Sequence, residues 1–73
     1  MSNNKCELMF PNLEAEQARR DMVDEDVAKL IGIKRNTYTA KKSSGAFKFS
    51  ELKQLCDVFG ATFEYLFEKG KEA

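Results

Sequence analysis

DEDVAKLIGIKRNTYTAKK, residues Asp24 to Lys42, places helical patterns on either side of a single glycine. Val27, Ala28, Leu30, Ile31, Ile33 and Tyr38 recur at helical spacing, so two short helices can share one buried face across a turn at Gly32. The triplet Asp24 to Asp26 suits the positive end of the first helix, with Val23 or Asp24 at the cap. Ile33 is placed to fill the space between the two. The second helix is expected from about Arg35 to Lys42, stopped by the turn-formers Ser43, Ser44 and Gly45. Its polar side is left for a partner.

Charge narrows what that partner is. The chain has net charge zero, but binding depends on where charge sits. From Val27 to Ser50 the sequence carries Lys29, Lys34, Arg35, Lys41, Lys42 and Lys48 and no acid. The acids collect in the first helix, at Asp24 to Asp26 and near the end. One half of the chain suits phosphates.

The rest of the domain also reads as helices, between a leader and a tail without helical period. Residues 1–8 are a polar leader with an incidental thiol at Cys6, 9–68 the domain and 69–73 a tail. Leu8, Met9 and Phe10 are an apolar staple before Pro11 and a capping Asn12, opening a helix from about Leu13 to Arg20 with Leu13, Ala18 and Met22 inward. Phe49, Leu52, Leu55, Cys56 and Phe59 repeat the helical period in a fourth helix that Gly60 stops. Thr62 caps a fifth, FEYLFEK, in which Phe63, Leu66 and Phe67 share a side and Tyr65 points away. The spacing of Phe47, Phe49, Phe59, Phe63 and Phe67 marks them as core. The fold class is all-α, with five short helices and no strand.

Length and composition exclude several function classes. A chain of 73 residues makes one small domain, in a size range that buries about 60% of the unfolded surface. Two cysteines fifty positions apart and no histidine make neither a disulfide framework nor a zinc finger. The acids at Asp24 to Asp26 lack a further ligand, so no metal or cofactor is expected. No nucleophile elbow, phosphate-binding glycine loop or room for a sizeable pocket suggests an enzyme or a small-molecule substrate. Without an export signal or membrane span, the expected compartment is the cytoplasm.

Ala28, Gly32, Thr37 and Tyr38 in DVAKLIGIKRNTYT follow a familiar alternation: alanine in one helix, glycine in the turn, a small polar then an apolar residue in the next. With five helices from about Met9 to Phe67, the chain resembles the lambda-repressor and Cro type of helix-turn-helix domain. MFPNLEAEQARR and FEYLFEK also look like small phage and prophage regulators of Gram-positive bacteria. The resemblance implies a sequence-specific, homodimeric regulator on double-stranded DNA, a repressor acting by operator occupancy. In that layout Arg35, Asn36, Thr39 and Ala40 face bases, and Lys34, Thr37, Lys42, Ser43, Ser44 and Lys48 hold phosphates. Tyr65, with Met9 and Phe10, is expected at the dimer edge. Three departures stand out: Val23 and Asp24 replace the glutamine or threonine common at the start of helix two, Lys41 fills a place often apolar, and the loop after helix three is a residue short. The alternative is a protein-interaction module on the same fold, an antirepressor or antitoxin, that uses Asp24 to Asp26 and the aromatic end.

Overall fold

The computed structural model describes residues 9–69, and they form five helices with no strand among them: α1 Pro11–Arg19, α2 Asp24–Ile31, α3 Arg35–Ser44, α4 Phe49–Phe59 and α5 Phe63–Leu66. The leader, with Cys6 and Leu8, and the end of the tail lie outside the described residues. Among the described residues no helix is long and apolar enough to cross a membrane.

Local chemistry accounts for the helix ends. Pro11 stands at the first position of α1, where a missing N–H costs nothing, and Phe10 precedes it without a side-chain cap. Asn12 is therefore not the expected cap. It is the second residue of the helix, and its Nδ2 donates to the Tyr65 carbonyl at 2.8 Å and ties α1 to α5. At α2 and α4 an acid at the third position reaches back: Val23 N–H donates to Asp26 Oδ2 at 3.0 Å, and Lys48 N–H to Glu51 Oε1 at 2.9 Å. Thr62 Oγ1 accepts from Tyr65 N–H at 3.2 Å, capping a single-turn α5, shorter than FEYLFEK suggested.

Gly32 ends α2 at φ 78°, and Ile33 N–H closes back onto the Ala28 carbonyl at 3.0 Å. A side chain at that φ meets its own backbone, so glycine sets the turn. The end of α1 uses the same closure with Asp21 at φ 57°, Met22 N–H reaching the Gln17 carbonyl at 2.8 Å. The helix α3 runs to Ser44 rather than Lys42, because the left-handed residue that stops it is Gly45.

The core is Leu13 from α1, Val27, Ala28 and Ile31 from α2, Tyr38 from α3, Leu55 and Phe59 from α4, and Leu66 with Phe10 and Phe67. Its main packings are α2 on α3, α2 on α4, and α5 against both α4 and α1. Phe10 and Phe67 meet edge to face at 5.2 Å between ring centres, and Phe47 lies within 6.2 Å of both. Several expected core positions are instead open. Leu30 is 58% exposed, since it lies roughly a third of a turn from the face formed by Val27, Ala28 and Ile31. Ala18 is exposed on α1, where Glu16 and Gln17 are buried in its stead. Phe49 is 72% and Phe63 50% exposed, both at the first residue of a helix, while Cys56 is only half-buried.

Candidate functional site

The outer side of α3 is the most accessible polar helix face that is also free of acids. Asn36, Ala40 and Ser43, at i, i+4 and i+7, form its centre; Thr37 and Ser44 flank them, and all five are exposed. Arg35 at the first helical position is exposed, as are Lys34 just before α3 and Lys48 at the start of α4. Among the described residues Lys34, Arg35 and Lys48 enter no ion pair. Lys34, Arg35 and the Asn36 carboxamide thus stand at the start of α3, and Lys48 follows its other end.

The inner side of α3 is where the sequence expectations change. Lys42 is 7% exposed, and its ammonium lies 2.5 Å from Asp24 Oδ1, 3.1 Å from Glu14 Oε2 and 3.3 Å from Gln17 Oε1. It is an internal tie among α1, α2 and α3, so it is not available to a phosphate. Thr39, expected at a base edge, is half-buried and donates its hydroxyl to Asp24 Oδ2 at 2.6 Å. Tyr38 completes the cluster, its hydroxyl donating to Gln17 Oε1 at 2.6 Å. The acid at Asp24 thus does not confront a partner's phosphate unopposed; Lys42 and two neutral donors answer it. Lys41 is likewise drawn off, at 2.7 and 2.8 Å from the Glu51 carboxylate.

The titration behaviour follows from these contacts. Burial pushes the Asp24 carboxyl upward, but hydrogen bonds from Lys42, Thr39 and Gln17 outweigh it and leave its pKa below the ordinary value. Glu51 shows the same contest, with burial opposed and outweighed by Lys41 and the Lys48 N–H. Burial, with the charges of Asp24 and Glu14, holds the Tyr38 phenol well above its usual value, so it stays a donor. Sequence reasoning missed Glu14, Gln17 and Glu51 as partners. No spacing rule links positions 14, 17, 24 and 42, and only the packing of three helices does so.

The residues expected at a dimer edge are mostly engaged. Phe10 is buried, and Met9 packs on Gly45, where an added Cβ would meet its sulfur at 3.4 Å. Tyr65 is 38% exposed but donates its hydroxyl to Glu16 Oε2 at 2.9 Å. Among the described residues no group of three or more acids or cysteines is placed to hold a metal. Compared with protein-family models, curated proteins and solved structures, the chain matches none of them.

Proposed function

We propose that the chain is a sequence-specific DNA-binding regulator of the lambda-repressor and Cro type, with α2 and α3 as its helix-turn-helix, which represses by occupying its operator. The observation that carries this reading is the division of α3: its inner side is locked by buried ion pairs, and its outer side offers Arg35, Asn36 and Ala40 with cations on both flanks. A helix of that width fits a major groove, where arginine can grip guanine's two acceptors and asparagine can pair bidentately with adenine. Lys34 and Lys48 then hold phosphates and set register. With Lys41 and Lys42 neutralised internally, each copy neutralises about two phosphates. A bound pair then gives a log–log salt slope of roughly −4.

The test is selection of duplexes from a random pool, followed by anisotropy titration at several salt concentrations. Arg35→Ala or Asn36→Ala should cost about 1–3 kcal/mol on the selected duplex and relax preference at one base pair. Lys48→Ala should weaken all duplexes alike and flatten the slope of the bound pair by about two units, one for each copy. Salt-insensitive association with a protein, and no retention on duplex DNA, would favour the interaction-module reading instead. The exposed Phe49 and Phe63 are what keep that second reading in view.

A further inference from the structure

The helix α4 carries two faces. One, through Glu51, Leu55 and Phe59, is buried; the other runs through Phe49, Lys53, Cys56, Asp57 and Gly60 at helical spacing. With Phe63 from α5, four of these line an open apolar cleft of about 490 Å³: Phe49, Lys53, Cys56 and Asp57. Two half-exposed or more aromatic rings beside one another are an unusual surface for a small domain. Lys53 and Asp57, one turn apart, form no ion pair among the described residues. A Cβ at Gly60 would meet nothing within 4 Å, so the end of the stripe admits a close approach.

We propose that this face is where a second copy of the chain docks, through antiparallel pairing of α4 with α4 about a twofold axis. The charges select that occupant. A twofold axis on the exposed side of α4, at the level of residue 55, sets Lys53 against the partner's Asp57 and Asp57 against the partner's Lys53, so one pair of residues makes two complementary contacts. The same register carries Phe49 to the Gly60 end of the neighbour, beside the partner's Phe63. Cys56 then lies close to the axis. The pairing replaces the Tyr65, Met9 and Phe10 edge, whose members are tied within the chain. It serves the reading above, which calls for two half-sites, but it is tested without DNA so that the two can fail separately.

The patch is small, so association should be weak, with a dissociation constant on the order of 100 μM. Sedimentation equilibrium of the full chain without nucleic acid measures it. Lys53→Glu and Asp57→Lys should each weaken the dimer about tenfold or more, because each sets like charges against one another twice. The double variant K53E/D57K should return to within about threefold of the parent, a recovery that general surface damage does not produce. Phe49→Asp should abolish dimerisation while leaving the thermal melt in place. In a Cys6→Ser background a short bismaleimide should link Cys56 to Cys56, with a yield that rises with protein concentration. A monomer at millimolar concentration, unaltered dimerisation on charge reversal, or the absence of a Cys56–Cys56 link at any concentration would overturn the proposal. Duplex retention by monomeric Phe49→Asp would leave the DNA reading standing whatever becomes of this one.

Discussion

Lys42→Met removes one ammonium and keeps most of the stem that packs beside Tyr38, so it isolates the charge. In the variant, Asp24 keeps Thr39 at 2.6 Å and Gln17 Nε2 at 3.1 Å, but loses its cation at 2.5 Å, and Glu14 loses its own partner at 3.1 Å. Breaking a buried pair from one side costs about 3–5 kcal/mol. Here the Asp24 and Glu14 side chains are 22% and 31% exposed, so water answers part of the orphaned charge. We expect a loss of about 2 kcal/mol and a fall in Tm of roughly 8–16 °C for a domain of this size. Urea and thermal unfolding followed by circular dichroism measure both. Asp24→Asn in the same chain removes the more buried of the two orphaned charges, so the double variant D24N/K42M should be about 1 kcal/mol more stable than additivity predicts. A loss below about 0.5 kcal/mol, or strict additivity, would refute the claim that Lys42 is an internal tie. Under the proposed DNA-binding function, the salt slope of K42M should match that of the parent.

Acid should act through the same groups. Asp24, Glu51 and Glu16 are all held below the ordinary carboxylate values, Glu16 chiefly by hydrogen bonds from Arg20 and Tyr65. The unfolded chain then binds protons first. Stability is accordingly full above the unfolded values near about 4 and is lost as pH falls through the lower folded values; D24N should make that decline shallower. Phe10→Ala should cost about 3–5 kcal/mol because the ring is buried against Phe67, while Phe49→Ala should move stability by less than about 0.5 kcal/mol, both read from urea midpoints. Gly32→Ala should lower stability by about 1–2 kcal/mol through its φ of 78° alone, since an added Cβ there has open space. Thermal melts check it.

What could be read from sequence was what is local. Gly32, Gly45 and Gly60 stop helices because a left-handed residue is a property of one position and its neighbours. Asp26 and Glu51 secure helix starts over three residues for a like reason. The positions misjudged depend on how separate helices meet. Lys42 looks like any lysine in the last turn of a helix until α1 and α2 supply Glu14, Gln17 and Asp24 from eighteen or more positions away. Phe49 fits the period of α4, but it begins the helix and overhangs the body. Phe10 precedes a helix, yet Phe47 from the loop before α4 and Phe67 from the far end of the described chain close over it.

The split character of α3 also bears on how such a protein diversifies. Asn36, Thr37, Ala40 and Ser43 make no side-chain hydrogen bond among the described residues and add nothing to the interior, whereas Tyr38 and Lys42 hold the rod in place from behind. If those side chains read DNA as proposed, the lettering is mechanically uncoupled from the frame that carries it. A library randomised at those four outward positions should yield mostly folded members, and new target preferences should arise in it without compensating change elsewhere.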